Sequence, residues 1–509
     1  MDAPGELYLG IDIGTSSSKG VLVDADGRVR DRAQVAHAVS FPRPGWAEHD
    51  AESVWRSDFV ALARELTGRA IGPVTAVGVS GLGPCFLPVD ARGRPLRPAI
   101  LYGIDTRAQR EIDELTTKFG ADAILTRGGS ALSSQAVGPK MLWVRRNEPE
   151  VWAETRRFVT SSSFLVERLT GQYVLDHHSA SQCDPLYDLG DEAWIPEWAD
   201  EVAPGLELPR LAWSDEVAGV VTREAAEATG IEAGTPVAVG TIDAWAEALS
   251  VGVRAPGDTM LMYGTTMFLV SVTDRVRPHP ALWATTGISP GSRTLAAGMA
   301  TSGALTAWFR DLVGGPPFEE LIAGAAAAPP GSDGLVVLPY FAGERTPIYD
   351  PNARGLLIGL TLRHGRGEVY RAVLEGTAYG VRHIVETMEL AGVRPRRFVS
   401  VGGGTKGDLW MQIVSDVTGI AQDVPHKTIG AAYGDAMLAA MAIGHREAVG
   451  WNSAAAVMEP DPLVAPVYDE LYGIYRSLHP ATVEQAHMLA ALQGRTARPA
   501  APVDRADRS

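Results

Sequence analysis

The side chains best suited to chemistry near the start of the chain are a glycine, several hydroxyls, a lysine and an aspartate. Gly14 lets the backbone approach a ligand closely, while Thr15 and Ser16 offer hydroxyl and backbone N–H donors. Together with the positive charge of Lys19, these donors suit a phosphate group. Asp12, just before them, is placed to hold a hydrated Mg²⁺. An ordinary hairpin with a serine-rich turn is the alternative, and this stretch alone does not separate the two.

Apolar residues on both sides of this stretch predict two β-strands joined by a tight polar turn. A second stretch of the same design follows 250 residues later, where Gly264, Thr265 and Thr266 separate two further apolar runs. One hairpin design near the start of each half predicts two domains of related plan that face one another. Chance similarity between two such short stretches is the alternative.

A third glycine-rich strand end stands at residues 402–404, between a predicted strand and a predicted helix. Gly403 and Gly404 would expose backbone N–H groups at the positive end of that helix and leave a flat surface for adenine or ribose. A plain turn is the alternative. The triple glycine is not a G-x-G-x-x-G fingerprint and the chain has no G-x-x-x-x-G-K-[ST], which counts against a dinucleotide fold and a P-loop.

Length and composition limit the classes of protein that fit. With 509 residues the chain is too long for one core, which predicts two or more domains. Its 46% hydrophobic and 21% charged residues are ordinary for a globular protein, and its net charge of −16 argues against a nucleic-acid surface. The longest uncharged central run, 294–309, is too short to span a membrane. Cys85 and Cys183 suggest neither a disulfide framework nor a zinc site, which favours a cytoplasmic protein.

In their order along the chain, these motifs resemble the FGGY carbohydrate kinases, above all the xylulokinase-like branch. The resemblance covers about residues 7 to 445 and includes further segments at 101–107, 240–243 and 338–347. It implies an α/β fold of two actin-like (ribonuclease-H-like) domains with sugar and MgATP in the interdomain cleft. It also implies a sugar-binding domain at 1–253 and a nucleotide-binding domain at 254–490, and we expect a disordered tail at 491–509 because that segment lacks periodicity.

Residue by residue, Asp243 matches the catalytic base of the family, which takes the proton of a sugar hydroxyl as it attacks the γ-phosphate. A simple helix cap is the alternative for this carboxylate. Asp12 matches the aspartate on the metal side, where Asp243 is the second candidate ligand. The resemblance assigns the phosphates and the adenosine to Gly14, Thr15, Ser16, Lys19, Gly264, Thr265, Thr266, Gly403 and Gly404.

The substrate side departs from the family pattern. Gly83 and Pro84 stand where xylulokinases carry Met-His and glycerol kinases an Arg–Glu pair, which counts against glycerol and puts xylulose in doubt. Tyr102 falls where the family places a tryptophan against the substrate. Asp105 and Arg107 resemble a pair that contacts sugar hydroxyls, and an ion pair between the two is the equal alternative.

These inferences predict an enzyme that uses ATP and Mg²⁺ to phosphorylate a hydroxyl of a sugar or sugar alcohol, first of all a ketopentose such as xylulose or ribulose. A tetritol, another polyol or an aldonate is the alternative substrate. We expect no nucleic-acid or membrane partner, and a homodimer is possible in this family. The alternative of another class is an actin-like sugar sensor without kinase activity, which the depleted segment 82–85 favours and the retention of Asp12, Lys19 and Asp243 opposes.

Overall fold

The computed structural model describes residues 5–69 and 71–496. In the first half, the strands are Leu7–Ile13 (β1), Ser17–Asp24 (β2), Val29–Ala36 (β3), Glu48–His49 (β4), Val74–Gly81 (β5), Leu87–Val89 (β6), Ala99–Ile100 (β7), Arg157–Val159 (β8), Val174–Asp176 (β9), Tyr187–Asp188 (β10), Ala193–Trp194 (β11), Arg210–Ala212 (β12), Val217–Val220 (β13), Pro236–Ala238 (β14) and Thr241–Ile242 (β15). Its helices are Ser57–Gly68 (α1), preceded by a π-helical turn at Ala51–Arg56, then Gln109–Phe119 (α2), Ala121–Gly128 (α3), Val137–Asn147 (α4), Pro149–Glu154 (α5), Ser161–Thr170 (α6), His177–Ala180 (α7), Pro196–Val202 (α8), Arg223–Thr229 (α9) and Asp243–Ser250 (α10).

In the second half, the strands are Asp258–Tyr263 (β16), Met267–Thr273 (β17), Trp283–Thr286 (β18), Arg293–Met299 (β19), Val336–Leu338 (β20), Leu356–Ile358 (β21), Arg397–Val401 (β22), Gln422–Pro425 (β23) and Ala454–Met458 (β24). The helices are Gly303–Leu312 (α11), Phe318–Ala327 (α12), Arg366–Leu390 (α13), Asp408–Thr418 (α14), Ala431–Ala442 (α15) and Ala465–Thr496 (α16), with short 3₁₀ turns at Ser332–Gly334, Gly403–Lys406 and Arg446–Gly450. Among the described residues, no helix has the length and apolar character that a membrane crossing requires.

The two halves repeat one sheet plan. In the first sheet β3, β2 and β1 are antiparallel neighbours, and β5 and β14 continue the sheet in parallel from β1. In the second sheet β19, β17 and β16 are antiparallel, and β22 and β23 continue in parallel from β16. Both predicted hairpins therefore exist, and each is followed in its sheet by the same parallel neighbours. The repeat seen in two short stretches of sequence extends over five strands of each sheet.

Burial explains why the central strands carry the functional turns. Every residue of β1 is buried, as expected for a strand flanked on both sides and covered on both faces, whereas β3 alternates between half-buried and exposed residues. The turn after β1 and the carboxyl end of β5 lie at the same edge of the sheet because the two strands run in parallel. Ligands of open α/β sheets bind at this carboxyl edge.

Helix α15 lies in the chain between β23 and β24 of the second sheet but packs on the first sheet. It lies against β1, β5 and α10, and its alanines share a hydrophobic cluster with Tyr8, Val21 and Val23. This close approach needs residues without side chains, because a Cβ at Gly10 or Gly78 would overlap backbone oxygens of α15. The helix thereby packs a segment of the second half against the strands that carry the first hairpin.

The disordered tail predicted at residues 491–509 is wrong for its first six residues. Helix α16 continues to Thr496, and Arg354 Nε donates a hydrogen bond of 2.7 Å to Gln493 Oε1. The alanine, leucine and glutamine at this end are good helix formers, so they extend the helix beyond the point where its apolar periodicity fades. The remainder of the predicted tail, 497–509, lies outside the described residues.

Candidate active site

A cavity of about 290 Å³ lies between the two halves of the molecule. Asp243 and Tyr102 line it from the first half, and Thr266, Phe268 and Arg345 line it from the second. The predicted cleft is therefore present, and the proposed base faces it. A second cavity of about 750 Å³ belongs wholly to the second half and reaches the tip of the second hairpin.

Asp243 reaches the first cavity because of the strand before it. Strand β15 pairs in parallel with the end of β5, with Ile242 beside Gly81, and α10 begins at the next residue. Asp243 is thus the first residue of α10 rather than its cap, and its Oδ1 accepts a hydrogen bond of 2.7 Å from the backbone N–H of Ala244. Its other carboxylate oxygen remains available for chemistry in the cavity.

Asp243 belongs to a group of four carboxyls with Asp12, Glu247 and Asp435, in which the charge of Asp12 raises the pKa of the other three. Burial raises the pKa of Asp12 to about 6, although Ser80, Lys19 and His37 act in the opposite direction. Burial and then the charge of Asp12 raise the pKa of Asp243 well above its usual range. The pKa of Glu247 is raised to about 7 by the same two causes.

Asp435, on α15, is the fourth buried carboxyl of this group. Burial and then the charge of Asp12 raise its pKa as well. The Ser80 hydroxyl lies 2.7 Å from Asp435 Oδ2 and 3.2 Å from Asp12 Oδ1, so it links the two carboxyls. Sequence reasoning missed both Asp435 and Glu247. The signal for Glu247 was its spacing of four residues from Asp243 on one helix face, whereas no local signal marked Asp435.

A histidine, His37, contacts the tip of the first hairpin. His37 Nε2 lies 3.0 Å from the carbonyl oxygen of Gly14, and His37 Nδ1 lies 2.7 Å from Asp58 Oδ2. The Thr15 hydroxyl lies 2.8 Å from the Tyr102 hydroxyl, which connects the tip to the first cavity. Lys19 pairs with Asp12 across the hairpin, so it lies beside that carboxylate and not at the tip.

The second hairpin tip rests on the start of α11. Backbone N–H groups of Ser302 and Ala304 each donate a hydrogen bond of 3.1 Å to the carbonyl oxygen of Thr265, and that of Gly303 donates one of 3.0 Å to Gly264. A Cβ at Gly303 would come within 2.5 Å of the Gly264 oxygen, so this approach requires a glycine. These backbone hydrogen bonds hold the tip in place, and Gly264 and Thr265 line the second cavity.

The second cavity combines glycines with aromatic residues, which suits a nucleoside. Gly403 and Gly404 line one side, and a Cβ at Gly404 would come within 2.9 Å of both Tyr263 and Trp410. The two aromatic rings pack edge to face at 5.3 Å beneath this glycine. Sequence reasoning found the glycines but missed the apolar and aromatic residues around them, which are Phe318, Ile322, Tyr370 and Trp410.

Only some of the predicted site residues line the two cavities. The first cavity is lined by Gly83, Tyr102, Asp243 and Thr266, and the second by Gly264, Thr265, Gly403 and Gly404. Asp12, Gly14, Thr15, Ser16 and Lys19 belong to the first hairpin and line neither cavity themselves. Pro84, Asp105 and Arg107 also line neither cavity.

Asp105 and Arg107 form the ion pair that was the alternative to a substrate contact. Arg107 Nη2 lies 2.7 Å from Asp105 Oδ2, which also accepts a hydrogen bond of 2.7 Å from the backbone N–H of Ala47. Arg107 also pairs with Glu48 and lies 4.0 Å above the ring of Trp46. Because these buried groups satisfy one another, the structure does not support the predicted substrate contacts of Asp105 and Arg107.

Gly83 has a steric reason for departing from the family pattern. A Cβ at this position would come within 2.6 Å of the side chain of Ile242, the residue immediately before Asp243. A larger residue would therefore push against the strand that positions Asp243. Pro84, joined to Gly83, does not line the cavity, so the predicted substrate contact of Pro84 is not supported.

Comparisons with known proteins agree with this architecture. Residues 7–250 match the N-terminal domain of the FGGY family of carbohydrate kinases, and residues 259–443 match its C-terminal domain. The chain is 31% identical over 450 residues to a xylulose kinase of Escherichia coli, which covers 86% of this chain and 90% of that protein. It is 30% identical over 465 residues to a glycerol kinase of Nocardia farcinica, with 86% and 90% covered.

Among solved structures, the xylulose kinase from Rhodospirillum rubrum superposes with a TM-score of 0.89 at 32% identity, covering 94% of this chain and all of that one. The predicted fold of two actin-like domains is thereby confirmed, together with the predicted sugar kinase activity class. The matches cover both sheets, both hairpins and the cavity between the halves. This chain belongs to the FGGY family of carbohydrate kinases.

Proposed function

We propose that this carbohydrate kinase transfers the γ-phosphate of ATP to a hydroxyl of a ketopentose, xylulose or ribulose. The observation that carries the proposal is a single cavity lined by Asp243 from one half and by the Thr266 hairpin turn from the other. A base and a phosphate-binding turn on one cavity are the two parts that phosphoryl transfer needs. The relatives named xylulose kinases support the choice of a ketopentose.

In this proposal the acceptor hydroxyl lies against the free carboxylate oxygen of Asp243. The carboxylate takes the hydroxyl proton as the oxygen attacks the γ-phosphate. Its raised pKa makes it a stronger base than an exposed aspartate. The hairpin tips at Thr15 and Thr265 hold the phosphates, while the adenosine occupies the cavity beside Gly403 and Gly404. Closure of the halves excludes water, which would otherwise compete with the sugar.

Asp12 and Asp243 are the residues that would hold Mg²⁺. The fit rests on the carboxyls around Asp12: burial, and then the charge of Asp12, raise the pKa values of Asp243 and Glu247, and a cation would offset that repulsion. Within the described ranges, no cluster of three or more metal-binding side chains forms a complete cage. That agrees with Mg²⁺, which one or two carboxylates hold together with phosphates and water. When bound, the ion supplies charge neutralisation on the phosphates.

The division of labour between the halves follows from the same proposal. Residues 1–253 bind the sugar and residues 254–490 bind the nucleotide, with the boundary between the two matched family domains. We place the enzyme in the cytoplasm, where ATP and the products of sugar metabolism are available. The homodimer remains a prediction from the family resemblance.

An acceptor screen tests the proposed reaction. Purified protein with Mg²⁺ and ATP should release ADP in proportion to added xylulose or ribulose, and coupled detection of ADP measures this release. Glycerol should support little release, because Gly83 and Pro84 replace the Arg–Glu pair that glycerol kinases carry. Preferred turnover of a tetritol, another polyol or an aldonate would correct the substrate. Sugar binding without any acceptor-dependent ADP release would indicate the sensor instead.

The contact between Tyr102 and Thr15 leads to a prediction about ATP binding, because it joins a residue of the first cavity to the first hairpin. Tyr102→Phe removes the hydroxyl that lies 2.8 Å from Thr15 Oγ1, so the hairpin tip loses one support. We expect the KM for ATP to rise roughly 3- to 10-fold, the range of one neutral hydrogen bond. Steady-state kinetics with varied ATP measures this.

Tyr173→Phe is the matched control. Its hydroxyl contacts the backbone of Phe158 and Glu207 and lines neither cavity, so the KM for ATP should not change. Equal KM values in the wild-type enzyme and Tyr102→Phe would show that the hydroxyl contact does not support the phosphate hairpin.

A further inference from the structure

The cavity that holds Asp243 has a second polar wall, which the proposed chemistry does not use. Gln135, Gln182 and Asp184 line this wall from the first half of the molecule. The segment 82–85, where the sequence suggested that the sugar is chosen, contributes only Gly83 to the cavity. The side chains that can distinguish one acceptor from another therefore have to come from elsewhere.

Asp184 is a buried carboxyl group without a protein partner at one oxygen. Its residue is 5% exposed and lines the cavity, and its Oδ1 has no hydrogen-bond partner among the residues that the structure describes. Burial, with no opposing positive charge, raises the pKa of this carboxyl well above its usual range. A carboxyl group offers two oxygens as hydrogen-bond acceptors and, when protonated, one O–H donor. The Oδ1 oxygen lies against Gly128 of α3, where a Cβ would come within 2.1 Å of it, so a ligand in the cavity would reach the carboxyl group from its Oδ2 side.

Gln182 is oriented by a histidine that spans the two halves. His178 Nδ1 lies 2.7 Å from the carbonyl oxygen of Thr286 on β18, so this nitrogen carries the proton and donates. Burial lowers the pKa of His178, so the ring is neutral and its Nε2 is an acceptor. Gln182 Nε2 donates to that acceptor at 3.2 Å. The amide oxygen of Gln182 is thereby turned away from the histidine and is available as an acceptor.

Gln135 offers the complementary group. Its Oε1 accepts a hydrogen bond of 3.1 Å from the backbone N–H of Gly103, next to Tyr102. This contact assigns the amide orientation and leaves the Nε2 amino group as a donor on the cavity wall. Together the wall offers one amide donor, one amide acceptor and one carboxyl group. That set matches neighbouring hydroxyls, each of which donates and accepts.

We propose that Asp184, Gln182 and Gln135 form the subsite that binds the acceptor hydroxyls other than the one that is phosphorylated, and so select the sugar. The subsite accepts an uncharged polyol or ketose, because the two amides and the carboxyl group can pair with its hydroxyls. This inference rests on the proposed function, since it deepens the account of the same cavity.

Kinetics with matched variants and acceptors test the subsite. Asp184→Leu removes the hydrogen-bonding carboxyl group, and we expect it to lower kcat/KM for the preferred acceptor about 10- to 100-fold while the KM for ATP changes less than twofold. Asp184→Asn keeps a donor and an acceptor and should stay within about fivefold of the wild-type enzyme. Asp122→Leu, at an exposed carboxylate on α3 outside the cavity, should leave both constants unchanged.

Deoxy analogues of the acceptor separate recognition from a general loss of activity. Removing the hydroxyl that contacts Asp184 should cost the wild-type enzyme about 10-fold or more in kcat/KM and should cost Asp184→Leu less than threefold. If each missing hydroxyl costs the two proteins the same, the subsite proposal is wrong. A lower melting temperature of Asp184→Leu with unchanged discrimination between sugars would give Asp184 a structural role and would also overturn it.

Failure of the proposed function is distinguishable from failure of the subsite. If the wild-type protein releases no ADP with any acceptor, the proposed function fails, and calorimetric titration with the same sugars then tests the subsite. Sugar binding to the wild-type protein that Asp184→Leu loses and Asp184→Asn keeps would support the subsite. Equal binding by all three proteins, or no binding by the wild-type protein, would refute it.

Discussion

Replacement of Asp243 by asparagine is expected to lower kcat by at least about 100-fold, because the amide cannot take the proton of the acceptor hydroxyl. The KM values should change much less, since the amide occupies the same space on the cavity wall. Its oxygen also keeps the hydrogen bond from the Ala244 backbone N–H. Acceptor-dependent ADP release measures the loss. Near-normal turnover of Asp243→Asn would remove Asp243 from the role of base.

Stability measurements show whether the loss is chemical or structural. Burial and the charge of Asp12 raise the pKa of Asp243 in the folded protein, so the folded state binds a proton that the unfolded state releases above about pH 4. This carboxyl therefore destabilises the fold increasingly as the pH rises from about 4 towards its raised pKa. In metal-free buffer, Asp243→Asn should melt at the wild-type temperature or higher, with a larger gain at pH 8 than at pH 5.

A substitution at the contact between α10 and α15 should have the largest effect on stability. Gly434 lies on α15, and a Cβ there would overlap the backbone carbonyl oxygen of Ala246 on α10. No flexible side chain can move to relieve this overlap, so the two helices must separate. We expect Gly434→Ala to lower the free energy of unfolding by about 3 kcal/mol, at the upper end of the overpacking range. Activity should fall as well, because α10 begins at Asp243 and α15 carries Asp435.

Gly473→Ala is the matched control for this prediction. Gly473 lies within helix α16, and a Cβ there would meet nothing within 4 Å. Alanine favours a helix over glycine by about 1 kcal/mol, so this variant should be as stable as the wild-type protein or more stable. Chemical unfolding of the three proteins measures the difference. Equal stability of Gly434→Ala and the wild-type protein would show that the helices are not held at backbone contact.

Local patterns predicted the two hairpins and the glycine-rich turn. The hairpins could be predicted because apolar runs on both sides of a small polar turn form a hairpin through contacts between near neighbours in the chain. Asp243 could be placed at the start of a helix for the same reason. Glycines at 403 and 404 likewise marked the turn that lines the second cavity.

The residues proposed to contact the acceptor could not be predicted from local sequence patterns. Asp105 and Arg107 carry the residue types of a substrate contact, but Glu48 and Trp46, about sixty residues earlier, occupy them in a buried cluster. Asp184 is the reverse case, because no motif surrounds it in the sequence. Only the fold brings it to the cavity, and its Oδ1 has no hydrogen-bond partner among the described residues. Polar residue types alone do not distinguish a satisfied group from an available one.

The sequence by itself determined the α/β class, the repeated hairpins and the position of Asp243 at a strand end, since each depends on residues within one or two elements. Only the tertiary structure decided that α15 returns to the first sheet with Asp435, and that Gln182 and Asp184 face Asp243's cavity. The physical reason is that burial and hydrogen-bond partners are set by segments hundreds of residues apart. The local sequence of the first hairpin predicts phosphate binding, but the connection of the hairpin to the cavity lined by Asp243, through Thr15 and Tyr102, exists only in the folded chain.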